Sequence, residues 1–164
     1  MKKSKVNKKG ILSCSDIVFN DVTKIHPALK SSLGYCLFKV SALFRTQLER
    51  HYKQLQVSPH HAAILTILIS EEATSQNQNR LCEELGIDKA SMVKLIDHLE
   101  KKQLDEIVNS SADRRVKYLR ITAKGKNLHE KAQLLKNNLE MDFLKNLKKE
   151  QVDSFKTILG LLLT

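Results

Sequence analysis

Apolar side chains recur at three- and four-residue steps between Ala28 and Leu55 (Leu33, Leu37, Val40, Leu43 or Phe44, and Leu48). That spacing predicts a long helix with one buried face. Upstream, residues 16–24 allow a short helix from Asp16 to Lys24, closed by Pro27. Val57-Ser58-Pro59 restarts the chain, because Ser58 suits an N-cap and Pro59 suits the first helical position, where its missing N–H costs nothing. The helix predicted from His60 to about Ser70 is apolar through its middle (Ala62 to Ile69) and should be buried on most sides.

The pattern then shortens. Asn77 can cap a helix carrying Leu81, Cys82 and Leu85, and Gly86 can end it in the left-handed conformation. Ile87 places an apolar plug in the turn, and Asp88 can cap a second helix running to Lys102, with Val93, Ile96 and Leu99 as its expected inward face. Two short helices joined this way make a helix-turn-helix. From Leu104 to Val108 and from Val116 to Ile121, β-branched and apolar residues flank the polar stretch 109–115, which predicts a β-hairpin with a charged tip. Thr122 then caps a helix from Ala123 to beyond Met141, and a last amphipathic helix from about Lys149 to Leu163 aligns Val152, Phe155, Leu159 and Leu162.

Composition sharpens this picture at a few points. A chain of 164 residues is long enough to bury about two-thirds of its unfolded surface in a single domain. Five Gly, two Pro and no Trp agree with a mostly helical protein. The net charge of +10 points to a polyanionic partner. That surplus is concentrated in two places: the lysine-rich residues 1–10, expected to be a disordered tail, and the stretch from Asp113 to Lys126, where six basic residues face one acid. Cys14, Cys36 and Cys82 are too widely spaced for a disulfide framework or a zinc knuckle, and no signal-peptide core or membrane span is present, so a reduced, cytoplasmic protein is expected. His60, His61 and His129 lack partners at ligating spacing, and there is no nucleophile–base pair, carboxylate pair or phosphate loop; neither an enzyme nor a cofactor is expected.

The run from Leu85 to Lys102 resembles the helix-turn-helix of the MarR family of regulators, and Asp113-Arg114-Arg115-Val116-Lys117-Tyr118-Leu119-Arg120-Ile121-Thr122-Ala123-Lys124-Gly125 is similar to that family's wing, return strand and following helix start. Leu33-Gly34-Tyr35 and Val57-Ser58-Pro59 match weaker family positions. The resemblance spans roughly residues 29–163. It implies a mainly α fold with a small β-hairpin wing, a winged helix-turn-helix at 57–122 flanked by dimerisation helices at 29–56 and 123–164. Residues 11–28 would be an N-terminal extension. It further implies a homodimer on a pseudo-palindromic operator, more often repressing than activating, with Leu33, Leu37, Val152, Phe155, Leu159 and Leu162 at the interface and half-sites about 34–36 Å apart. A small effector, often anionic or phenolic, would bind between the dimerisation and DNA-binding parts and release the operator. The chain departs from the family at Gln103, where glycine is usual, at Asp105, where an aliphatic residue is usual, and at Gln76, another aliphatic position.

With Val93 turned inward, the outer face of the second helix would present Lys89, Ala90, Met92 and Lys94, with Ser91 at its boundary. Lysine can donate to guanine, Ala and Met can touch a thymine methyl, and Ser can bond a phosphate or a base edge. Arg114 and Arg115 at the hairpin tip suit a narrow minor groove, Arg115 as the inserting residue by family resemblance, with Asp113 orienting it and Lys117 adding charge. Two alternatives accompany this reading: a winged-helix module that binds protein, and a thiol-based regulator using Cys36. Cys36 lies two residues past Gly34, where the resemblance would place a peroxide-sensing cysteine, and reads as a packing residue.

Overall fold

The computed structural model describes residues 25–70, 76–109 and 117–163. The lysine-rich tail, Cys14 and the expected Asp16–Lys24 helix lie outside them. The described residues form six α-helices and one antiparallel hairpin: α1 (Leu33–Lys53), α2 (Pro59–Ser70), α3 (Gln78–Leu85), α4 (Lys89–Lys101), β1 (Asp105–Asn109), β2 (Lys117–Ile121), α5 (Ala123–Leu144) and α6 (Lys149–Leu162). Among the described residues no helix is long and apolar enough to cross a membrane.

The first long helix starts later than its apolar period predicts. Pro27–Leu29 form a single 3-10 turn, and α1 begins only at Leu33, where the Ser32 hydroxyl accepts the Tyr35 N–H at 3.3 Å. A side chain able to cap outweighed the continuing apolar pattern.

The residues separate into two compact units. One is Leu48–Leu135; the other joins the described residues up to Gln47 with those from Lys136 onward. In the Leu48–Leu135 unit, α2 is the central element: Ile64 and Leu65 are fully buried and pack with Leu81 of α3, Met92 and Leu99 of α4 and Leu119 of β2. Ser58 and Pro59 start α2 as expected, with the Ser58 hydroxyl accepting the His61 N–H at 3.3 Å. β1 and β2 pair with Asp105 opposite Ile121 and Asn109 opposite Lys117. Gln76 adds a bridge, its carbonyl accepting the Leu119 N–H at 2.7 Å, so the hairpin is anchored just ahead of α3.

Three helices in this unit end alike. Gln56, Gly86 and Gln103 adopt the left-handed region at φ 55°, 62° and 58°. At each, the following amide reaches back to a carbonyl five residues earlier: Val57 to Tyr52, Ile87 to Cys82 and Leu104 to Leu99. This is the Schellman closure, which glycine favours and other residues enter at a cost. After Gln103 the backbone is held by Thr122, whose hydroxyl donates to the Gln103 and Leu104 carbonyls at 2.8 and 3.1 Å and accepts the Gly125 N–H at 3.0 Å. A Cβ on Gly125 would lie 2.0 Å from the Leu104 carbonyl oxygen, so the Thr-x-x-Gly spacing serves close backbone approach.

The second unit is less closed. Leu139 is buried, and Phe44 and Phe143 meet edge to face at 5.3 Å. Leu37, Val40, Phe44, Phe143, Phe155 and Leu159 line an apolar cavity of about 360 Å³. Leu33 is 74% exposed and Leu162 68%.

Candidate nucleic-acid interface

The helix-turn-helix is fixed by local chemistry at each corner. The Asn77 side chain accepts the Arg80 N–H at 3.0 Å and starts α3; Gly86 ends it; the Asp88 carboxylate accepts the Ser91 N–H at 2.9 Å and starts α4. That hydrogen bond holds the Asp88 carboxyl below its ordinary value, so the cap is charged at neutral pH and complements the positive end of the helix. Ile87, half-buried in the turn, packs against the core together with Leu85 and Cys82.

The face of α4 that meets solvent differs from the expected one by a single residue. Met92 is fully buried, with Ile96 and Leu99 on the same side, whereas Val93 is 44% exposed. Met92 is therefore part of the core, and the expectation that it reaches a base is corrected. Both assignments satisfy a helical period, since 92-96-99 and 93-96-99 are each legal spacings on one face. Residues 92, 96 and 99 share the narrower arc of the helix, and Met92 joins the buried cluster that includes Leu65 and Leu81. The outward stripe of α4 consists of Lys89, Ala90, Val93, Lys94 and Asp97, all exposed. Ser91 is exposed as well and borders a neighbouring cleft.

That cleft, about 510 Å³, lies beside the start of α2 and is lined by His60, His61, Ile87, Ser91, Lys94 and His98. His61 and His98 rings lie 4.5 Å apart. The Ser58 N–H donates to His61 Nδ1 at 2.9 Å, so the neutral ring carries its proton on Nε2, a buried donor with no hydrogen-bond partner. Burial, with His98, His60 and Lys102 nearby, pushes the His61 pKa down to about 4. His98 Nε2 donates to the Gln56 carbonyl at 3.0 Å, tying α4 to the end of α1 within the same unit.

The hairpin presents Arg120 opposite Glu106 at 4.0 Å, both well exposed, on its outer face. Lys117 opens β2 opposite Asn109. Asp113, Arg114 and Arg115 lie outside the described residues. Of the expected interface residues, Leu33, Leu37 and Leu162 are exposed and Val152, Phe155 and Leu159 half-buried. Cys36 is half-buried, with its thiol 3.5 Å from the Lys30 carbonyl, and Cys82 is half-buried against the core.

No model of a known protein family matches the sequence. Solved structures do match the fold. A MarR family transcriptional regulator from Rhodococcus sp. RHA1 superposes with a TM-score of 0.74 at 19% identity, over 84% of this chain and 97% of its own. A cysteine-to-serine variant of MarR from E. coli, crystallised with operator DNA, gives 0.70 at 21% identity, over 80% and 94%. MepR, a transcription regulator of the Staphylococcus aureus multidrug efflux pump MepA, gives 0.67 at 19% identity, over 80% and 96%. The chain therefore has the winged helix-turn-helix fold of MarR-type regulators.

Proposed function

We propose that this protein is a sequence-specific, double-stranded DNA-binding transcription regulator that acts as a homodimeric repressor on a pseudo-palindromic operator. The observation that carries the reading is α4: three buried side chains (Met92, Ile96, Leu99) anchor one face, while the opposite stripe holds two lysines with the small apolar Ala90 and Val93. A helix of 13 residues is about 20 Å long and fits the roughly 12 Å major groove. On it Lys89 and Lys94 would donate to guanine or phosphate, Ser91 would bond the backbone, and Ala90 and Val93 would touch thymine methyls, Val93 taking the part first given to Met92. Arg114 and Arg115, with Asp113 orienting and Lys117 adding charge, would enter the flanking minor groove. That a MarR variant of this fold was crystallised with operator DNA supports the assignment.

The exposed leucines of α1 and α6, with Phe38 at 68% exposed beside them in sequence, support pairing of two copies through that unit. An effector, of the small anionic or phenolic kind the resemblance implies, would act by changing the spacing of the two α4 helices.

The test is selection of bound duplexes from random DNA, followed by titration at several salt concentrations. A selected pseudo-palindrome and a log–log salt slope of about −0.9 per phosphate contacted are expected. Salt-independent binding, or no selection, would refute the reading and favour a protein-binding wing. Replacing Arg115 by Ala should weaken operator binding by about ten- to a hundredfold while the dimer persists, since one groove contact is worth roughly 1–3 kcal/mol. Unchanged affinity would remove Arg115 from the interface.

A further inference from the structure

Asp105 begins β1 at the point where the recognition helix hands over to the hairpin. It is only 4% exposed, between Leu104 at 3% and its cross-strand partner Ile121 at 4%. Neither carboxyl oxygen has a hydrogen-bond partner on another described residue, and the Asp105 backbone N–H gives only a smaller pull in the opposite direction. Among the described residues, the one charged neighbour that shifts it is of like sign. From α4 comes Glu100, a like charge; from β2 the facing residue is Ile121, while Arg120 is spent on Glu106 at the outer face. On the first turn of α5, Lys124 is exposed and Lys126 half-buried. A carboxyl in such surroundings holds its proton to higher pH than an exposed one, because the ionised form is buried without a compensating charge. Burial first, and Glu100 second, push its pKa up to about 7.

The position gives this a mechanical consequence. Asp105 lies two residues past Gln103 with its left-handed backbone, and the Thr122 hydroxyl pins the intervening Gln103 and Leu104 carbonyls to the start of α5. An ionised Asp105 must draw water into this joint, and the way open to it is to lift the start of β1 from the end of α4. We propose that Asp105 makes the seating of the hairpin on the recognition helix proton-linked: the neutral carboxyl is packed and the ionised one loosens the joint. Resting on the DNA-binding reading, the corollary is that operator binding takes up a proton, since a phosphate backbone nearby further disfavours the anion.

The sign follows from linkage. A group with a raised folded-state pKa contributes stability that is fully present below its unfolded value, near 4, and lost as pH rises through about 7. His61, with a lowered pKa, acts in the opposite sense: its contribution is present above 6.5 and lost as pH falls towards 4. The two oppose each other over much of the same window, so the wild-type profile alone would be nearly flat and uninformative. Comparison with a variant isolates Asp105, because His61 is common to both.

The experiment uses the full chain as wild type, Asp105→Asn and Asp105→Leu, with urea unfolding and amide exchange at Leu119 between pH 4.5 and 8.5 at constant ionic strength. The unfolding constant of wild type relative to Asp105→Asn should rise by up to about tenfold per pH unit and level off above about 7. The protection factor at Leu119, with the pH-dependent intrinsic exchange rate divided out, should fall over the same range in wild type and stay level in the variants. Asp105→Leu, the apolar replacement, should show the same divergence and covers the case in which Asn packs poorly. Parallel profiles for wild type and both variants would overturn the proposal. On a selected operator, wild-type affinity should fall towards tenfold per unit above about pH 7, and that of the variants should not. Divergent stability with identical operator profiles would overturn the coupling to DNA. Divergent stability with no duplex binding at any pH would uphold the proton-linked joint and overturn the regulator reading.

Discussion

In the Leu48–Leu135 unit the apolar side chains find one another: Ile64, Leu65, Leu81, Met92 and Leu99 have essentially no exposed surface. In the other unit, α6 holds no buried residue at all, and Leu161 and Leu162 are 71% and 68% exposed. Both units carry helices of clear amphipathic period, so the pattern is the same and the outcome differs. An apolar stripe states only that a face must be covered. In one unit the chain covers it with its own helices; in the other it leaves leucines and a phenylalanine-lined cavity in the open, which is the expected condition of a surface completed by a second copy. The contrast also matches the proposed roles: the closed unit carries the proposed reading helix, and the open one is the proposed assembly surface.

The contrast can be broken from either side. The largest effect should come from the closed unit, where Met92→Ala leaves a cavity and should cost about 2–5 kcal/mol of unfolding free energy. Val93→Ala, one residue along and 44% exposed, should leave stability nearly unchanged and weaken operator binding instead. If the two variants were equally unstable in urea, the assignment of inner and outer faces on α4 would be wrong. In the open unit, replacing Leu159 and Leu162 together by Glu should raise the dimer dissociation constant on the order of a hundredfold, about 3 kcal/mol, with the helical content retained. A dimer that survives in sedimentation would place the interface elsewhere. The smallest change is at the hinge of the hairpin: Gln103→Gly should stabilise by about 0.5–1 kcal/mol, because φ 58° costs glycine nothing. A loss of stability there would mean that the Gln103 side chain makes a contact worth more than the strain.

The parts of the fold that are read most easily from the sequence are those decided within four or five residues. Asn77, Gly86 and Asp88 bracket α3 and α4 where their side chains and torsional freedom dictate, and Ser58-Pro59 starts α2, because a cap needs only its own helix to act. Thr122 and Gly125 were legible as a helix start, though that they also clamp the Gln103–Leu104 carbonyls required the fold. Ser32 could have been recognised as the cap that delays α1 to Leu33, had its hydroxyl been weighed against the continuing apolar period.

Other features needed the tertiary structure. Whether Met92 or Val93 turns inward is a choice between two helical faces, and it is seen only once Met92 joins the buried cluster with Leu65 and Leu81, residues distant in sequence. Asp105 stood out in the sequence only as an acid in an aliphatic place; that it is buried, unpartnered and beside Glu100 follows from the pairing of β1 with β2 and from the way α4 ends. The sequence by itself determined the order of the elements, their caps and where the charge lies, because these depend on neighbours along the chain. Which apolar residues form a core, which are left to solvent, and which carboxyl is buried beside a like charge were decided by distant segments meeting, and no local pattern carries that information.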